Sequence, residues 1–558
     1  MKFSRTLALL LLFFAVYWSY TSLMPSYSPD EDVAEEHFSS ERALFHVKNL
    51  SIEPHAVGFS GHARVRAYII AELKKMGLET TTQEGYTAGD WGNLSKATNI
   101  LARIKGSEEG KALLVLSHYD SNPHSSYGAS DAGSGVATIL EGIRAFLSEN
   151  KTPKNDIIIL ITDAEELGLN GADLFVNNHP WAKDVGLVLN FEARGSGGPS
   201  YMLIETNRGN GTLIKEFTKA NPKYPVANSL AYSIYKMLPN DTDLTVFRED
   251  GDIEGFNFAF IDDHFDYHTA LDNYERLDRT SLAHQGSYLM PLLHYFSDAD
   301  LDNLKSLDDY IYFNLPFFRL VSYPFDWIWP MFGIAVLAFL LLLFDGFRKK
   351  KLQLKDVFKG FVPLLLTLVV NGIMGYFCWT IITWWYPGFK DMLHGFTYNG
   401  HTYIAVYVMI SLSICFWMYH QYRKTSTANL LVAPIFIWLI ICGFSFWHCP
   451  SSANSRPRIR WPTCFCFCFL HLVLQAISIL ILMKNGPSPV VCSMCTTLMK
   501  TQQFGQRMTM TLLDGTINSW GTKRENQAPK NTRPYPVNMP PNSPILPMHQ
   551  KKILPFHG

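Results

Sequence analysis

The chain has 558 residues, 48 Lys and Arg against 49 Asp and Glu, and a formal net charge of -1. So even a balance excludes the dominant basic face that nucleic-acid binding needs, and the length accommodates two or three domains of ~100–200 residues each. All nine cysteines lie at Cys378 or beyond, so residues 26–310 cannot rest on a disulfide framework.

In chain order, Lys2 and Arg5 precede an apolar stretch running from Thr6 to Leu23. It lacks the short core and small-residue cleavage site of a removable leader. Residues 1–25 therefore read as a signal-anchor transmembrane helix, which sends residues 26–310 to the non-cytoplasmic side. Within that domain, Val65, Ile69, Leu73 and Met76 share one helical face that Gly77 closes. Apolar runs at 99–104, 112–117, 156–161, 186–191, 201–204 and 256–261 predict strands, with helices at 135–147 and 166–177 among them. Continuous runs suit strands covered on both faces. Their alternation with helices predicts an α/β fold, a mostly parallel, mixed sheet sandwiched by helices.

Residues 311–484 predict an α-helical multi-pass membrane domain. Spans at 327–344, 361–386, 403–419 and 430–447 are long enough for ~30 Å of hydrocarbon. Arg348, Lys349, Lys350 and Lys351, and later Arg423 and Lys424, fall on the cytoplasmic side. Trp384, Trp385 and Tyr386 make an aromatic belt at an outer edge. Past Trp447 the pattern breaks, because Arg456, Arg458 and Arg460 would lie outside. Phe465–Met483 is a candidate sixth span, and the Cys492–Cys495 pair stands alone, without the further ligands a metal site needs. Residues 485–558 predict a disordered tail. The change of character after Trp447 suggests a shifted reading frame or an altered gene end.

The chemistry sits in the first domain. His118 and Asp120 end an apolar run in LLVLSHYDS, and Asp131 follows in GASDAGSG. Glu165 and Glu166 lie in LITDAEELG, Glu192 in LVLNFEARG and His268 in DYHTALDN. Singly, each has an ordinary reading: Asp131 as a helix N-cap, the adjacent glutamates as first-turn acids. Together they supply imidazole and carboxylate ligands that suit zinc, with one carboxylate free to bridge two ions. Several follow predicted strands directly, where sites in such sheets collect. Asp120 is placed to orient the His118 ring. Glu165 reads as the base, Glu166, Glu192 and His268 as ligands, and His264 as a rival to His268. Two zinc ions would be offset by Asp131, Glu166, Glu192 and a bound hydroxide, a nucleophile at neutral pH. Tyr267 is placed to donate to a developing oxyanion.

SHYDS, SDAGSG, DAEELG, FEARG and YHTALD resemble, in order and spacing, the motifs of metallopeptidase family 28, the di-zinc aminopeptidases. The resemblance covers residues 45–300 and implies a zinc-exopeptidase fold. It implies one zinc on His118, Asp131 and Glu192, and a second on Asp131, Glu166 and His268. Glu165 would be the proton acceptor and Tyr267 the transition-state stabiliser. Glu192, where secreted members more often carry Asp, and the membrane half together look like the vacuolar membrane protease branch and its endoplasmic-reticulum relatives. The expected activity is hydrolysis of peptides by a membrane-anchored aminopeptidase whose catalytic domain faces a vacuolar or endoplasmic-reticulum lumen, or a periplasm in a bacterium; the resemblance implies a vacuolar-type membrane. Alternatives are an inactive receptor or sorting protein on the same fold, and a glutaminyl cyclase with one zinc. A complete ligand set argues against both.

Overall fold

In a computed structural model that describes residues 2–29, 32–236, 241–315, 319–392, 397 and 399–447, the apolar runs pair into one seven-stranded sheet. Helices α1 (Lys2–Thr21), α2 (Ser40–Leu50) and α3 (Ser60–Lys75) come first, then strands β1 (Thr80–Thr87), β2 (Ser95–Ile104) and β3 (Ala112–His118). Next are α4 (Gly133–Ser148), β4 (Ile157–Thr162), α5 (Glu165–Gly168), α6 (Asn170–Asn178), β5 (Val185–Ala193) and β6 (Gly197–Glu205). Helices α7 (Gly211–Ala220), α8 (Ser229–Tyr235) and α9 (Asp243–Glu249) precede β7 (Glu254–Asp262) and α10 (Arg279–Phe296).

The sheet order is β1-β2-β4-β3-β5-β7-β6. Its centre, β4-β3-β5-β7, is parallel, while β1, β2 and β6 join antiparallel. Side chains alternate between two cores because successive residues of a strand face opposite ways. Leu113, Val115, Ile157, Ile159, Leu187 and Leu189 pack with α3, α4, α7 and α10. Leu114, Leu116, Ile158, Leu160 and Val188 pack with α6 and α9 through Phe175 and Phe247. Each such side chain is worth ~1.5–3 kcal/mol when fully buried. The predicted α/β sandwich is the observed fold.

Two local departures from the sequence reading have clear causes. Strand β1 reads TTTQEGYT and lies at a largely exposed edge, so it has no apolar run to mark it. The helix expected at 166–177 is broken at Leu169, which takes φ 62 and starts a new helix there.

A hairpin, β8 (Tyr310–Leu315) with β9 (Arg319–Pro324), leads into α11 (Ile328–Arg348), α12 (Leu354–Trp385), α13 (Gly400–Gln421) and α14 (Thr427–Trp447). Among the described residues, four helices are long and apolar enough to cross a membrane: Phe325–Arg348, Leu354–Trp385, Gly400–Gln421 and Thr427–Phe444. They contain the second and fourth expected spans whole, the third as far as Trp385 and the fifth as far as Phe444. Ile311 of β8 shares a buried cluster with Ile328, Phe339, Leu352, Val357 and Leu431, so the hairpin is packed onto the helices. The candidate span Phe465–Met483, the Cys492–Cys495 pair and the tail from 485 lie outside the described residues.

Candidate metal centre

Parallel strands that end level with one another deliver the site. Strand β3 is buried along its whole length and offers His118 as its last residue, level with Thr162 of β4. Strand β5 brings Glu192 level with Ala259 of β7. After β4 the chain turns through Ala164, at φ 59, into α5, which opens with Glu165 and Glu166. His268 follows β7 and a short turn, at φ 57. A non-glycine residue in this region costs of order 1–3 kcal/mol and persists only where its surroundings fix it.

Asp131 lies in the turn between β3 and α4, and the small residues around it have a steric reason. A Cβ on Gly135 would sit 2.3 Å from the Phe191 carbonyl oxygen and 2.4 Å from Ser117 Oγ. One on Gly133 would sit 2.3 Å from the Gly128 carbonyl oxygen. Only without those carbons can α4 start close enough to hold Asp131 over the strand ends.

The result is two triads that share one residue: His118, Asp131 and Glu192, and Asp131, Glu166 and His268. Within each, the ligand atoms all lie within 4.8 Å of one another. Asp131 Oδ1 is 3.1 Å from His118 Nε2, and its Oδ2 is 3.2 Å from His268 Nε2. Glu192 Oε2 approaches His118 Nε2 at 3.5 Å, and Glu166 Oε2 approaches His268 Nε2 at 3.1 Å. Glu166 Oε1 and His268 Nε2 are buried and make no hydrogen bond. Buried polar atoms rarely lack partners, and this donor set, two imidazoles and three carboxylates, fits zinc. Glu165 stands beside the triads but in neither, and so do His264 and Tyr267.

Supporting groups fix the ligands. His118 Nδ1 lies 2.9 Å from the Asp120 carbonyl oxygen and 3.5 Å from its carboxylate. The Asp120 carboxylate instead accepts the backbone N–H groups of Glu165 and Glu166, at 3.1 and 3.2 Å. Asp120 therefore ties the β3 end to the start of α5. Asp272 accepts from the N–H groups of Ser130 and Asp131, at 2.7 and 3.3 Å. Asn122 donates to Glu166 at 2.7 Å, and Asn190 donates to Glu192 at 3.2 Å. Asp243, wholly buried, accepts from Thr162. Asn122, Asn190, Asp243 and Asp272 carry no mark in the sequence beyond their polarity.

Electrostatics follow from the crowding. Burial, then the charges of Glu192, Glu166 and Asp243 against an opposing His118, hold Glu165 well above the usual carboxylate range. Burial pushes Asp243 and Asp272 up to about 7. Burial disfavours charge on His268, yet Glu166 and Asp131 outweigh it and push the ring up to about 9. A pocket whose field raises imidazole in this way attracts cations. Tyr267 stacks on His268 with ring centroids 3.6 Å apart, and on His264 at 5.3 Å. Burial and the charge of Asp131 raise its phenol, so it stays protonated. His264 Nδ1 is engaged with the Arg194 carbonyl oxygen.

Residues 99–293 match the profile of Peptidase family M28. The chain is 29% identical over 344 residues to a vacuolar membrane protease of Candida dubliniensis, covering 59% of this chain and 36% of the relative. It is 31% identical over 328 residues to the vacuolar membrane protease of Candida tropicalis, covering 55% and 34%. With endoplasmic reticulum metallopeptidase 1 of Rattus norvegicus it shares 29% over 235 residues, covering 41% and 26%. The chain thus spans well under half the length of these relatives. Among solved structures, a Zn-dependent exopeptidase from Parabacteroides distasonis is similar at 20% identity and a TM-score of 0.38, covering 47% of this chain and 99% of that one. Porphyromonas gingivalis glutaminyl cyclase gives the same identity, TM-score and coverage. The matched segment begins inside β2, ends inside α10 and encloses both triads, so residues 99–293 form a Peptidase family M28 domain.

Proposed function

We propose that this chain is a membrane-anchored zinc metallopeptidase that removes N-terminal residues from peptides. The observation that supports this most strongly is the pair of triads joined through Asp131. His118, Asp131 and Glu192 would hold one zinc, and Asp131, Glu166 and His268 the other. Zinc at such a centre supplies Lewis acidity toward a carbonyl oxygen and makes water a nucleophile near neutral pH. The rest falls to the protein. Glu165 accepts the proton of the attacking water and returns it to the departing amine. Tyr267, protonated and stacked beside His268, donates to the oxygen that gains charge, a role worth ~3 kcal/mol. Asp120 holds His118 and the Glu165–Glu166 turn in one frame, and Asp272 holds Asp131.

The membrane arrangement belongs to the same proposal. Residues 1–25 anchor the chain, residues 26–310 form the peptidase domain outside the cytoplasm, and helices α11 to α14 belong to the membrane domain. Lys349, Lys350 and Lys351 after α11, and Arg423 and Lys424 after α13, fall on one side in this threading, as cytoplasmic loops require. By the names of its relatives, the compartment is a vacuolar or endoplasmic-reticulum lumen. The test is the full chain purified in detergent. It should carry two zinc ions, release the N-terminal residue from unblocked Leu-peptides, spare N-acetylated ones, lose activity to a chelator and regain it with zinc. Absence of zinc together with absence of turnover would reject the reading.

A further inference from the structure

Arg194 is the cation beside this centre that the mechanism leaves unused. It follows Glu192 by two residues, just past the end of β5. Its backbone is held on both sides: the N–H donates to the Phe260 carbonyl at 2.8 Å, and its own carbonyl accepts from His264. The guanidinium lies over the Tyr267 ring, 5.4 Å from the centroid, and the same ring stacks on His268 at 3.6 Å. This cation and a proposed zinc ligand therefore share one aromatic ring.

Elsewhere in the domain, most partly buried arginines are matched by carboxylates: Arg42 and Arg144 reach Glu141, Arg103 reaches Asp156 and Arg248 reaches Glu205. Arg66 and Arg279 are instead satisfied by the Tyr119 hydroxyl and by the Tyr274 and Leu277 carbonyls. Arg194, among the described residues, reaches no carboxylate, and its side chain makes no hydrogen bond. A guanidinium has five N–H donors in a planar fork that fits a carboxylate. Stacking on Tyr267 and the pinned backbone fix its position in advance, which lowers the ordering cost of binding.

On the peptidase reading above, we infer that Arg194 binds a carboxylate of the substrate, so that the preferred substrates are short or acidic peptides. An extended chain advances about 3.5 Å per residue. A guanidinium one ring away from His268 therefore meets a carboxylate within a residue or two of the bond being cut. That carboxylate is either an acidic side chain or the C-terminus of a very short peptide.

Three pairs of peptides separate the sources, measured as kcat/KM with the zinc-loaded full chain. Leu-Gly against Leu-Gly-amide reports the C-terminal carboxylate. Leu-Glu-amide against Leu-Gln-amide reports the second side chain, and Glu-Gly-amide against Gln-Gly-amide the first. At least one pair should favour the carboxylate tenfold or more, Arg194→Gln should bring that ratio to near one, and Arg194→Lys should keep part of it. Binding supplies a readout without turnover. In a Glu165→Gln background, calorimetry should show the favoured peptide binding at least tenfold more weakly once Arg194→Gln is added. Ratios near one for all three pairs, or a ratio that survives Arg194→Gln, would overturn the inference while leaving the peptidase reading standing. No turnover of any peptide would overturn the peptidase reading. The calorimetric comparison, run then on Leu-Gly, Leu-Glu-amide and Glu-Gly-amide, decides Arg194 by itself, and unchanged affinity for all three rejects its role.

Discussion

Replacing Glu165 with glutamine separates the two tasks assigned to the adjacent glutamates. Glutamine keeps the shape of the side chain and cannot take a proton. Because Glu165 belongs to neither triad, Glu165→Gln should keep both zinc ions. A positioned general base contributes ~10²–10⁴ in rate, about 3–5 kcal/mol of barrier at 1.36 kcal/mol per decade, so kcat should fall by that factor. The structure also fixes the sign of the stability change in the metal-free chain. Burial and the neighbouring carboxylates raise Glu165 well above its unfolded value. The folded state therefore holds an extra proton between the two values, and stability falls as pH rises through that window. A neutral amide escapes this loss, so at pH 7 and above the metal-free variant should melt no lower than its parent. Glu166→Gln behaves differently, because Glu166 Oε2 stands 3.1 Å from His268 Nε2 inside the second triad. It should weaken one zinc at least tenfold. The assay combines kcat on a Leu-peptide, zinc content by mass spectrometry after dialysis, and melting temperature. A Glu165→Gln protein that loses zinc but keeps kcat, or a Glu166→Gln protein that keeps both metals, would refute the division of roles.

Glu254 is buried, bonded to Thr206 and pushed up to about 6, chiefly by burial. Since its folded value exceeds the unfolded one, its carboxylate destabilises the fold above about pH 6, by ~2 kcal/mol in order of magnitude. Glu254→Gln should then melt a few degrees higher at pH 7.5 and no higher at pH 4.5, and the reverse pattern would show the site to be wrongly read. Phe258 is fully buried, stacks on Phe191 at 5.1 Å and packs at a tilt against Tyr288 at 4.7 Å. Phe258→Ala should cost ~3–5 kcal/mol, visible in denaturant melts of the full chain; a loss under 1 kcal/mol would mean the core is looser than described. In sealed vesicles with the cytoplasmic side out, added protease should cleave the loop at Arg348–Lys351 and spare residues 26–310. Cleavage inside the peptidase domain would reverse the topology.

The sequence showed those parts of the fold that depend on local pattern. His118 and Glu192 stand out because each ends or nearly ends an apolar run, and a parallel sheet aligns such ends. The small residues around Asp131 were visible as SDAGSG, and their role in admitting α4 emerges once β3 and β5 are adjacent. Strand β1 was silent because an exposed edge strand of threonines needs no apolar face. The break at Leu169 was hidden because helix periodicity continues across it. Groups that brace the ligands were hidden for a different reason. Asp272 meets Ser130 142 residues away along the chain, and Asn122 meets Glu166 across 44. No local pattern encodes such a meeting. Arg194 lay within the FEARG motif, but its significance depends on the turn after β7 that sets Tyr267 beneath it.

The proposed centre would hold two metals with Asp131 between them. An anomalous-scattering map at the zinc edge, from crystals of the full chain, tests this directly. Two peaks ~3.5–4 Å apart are expected, one among His118, Asp131 and Glu192, the other among Asp131, Glu166 and His268. A single peak, or a peak on His264, would contradict it.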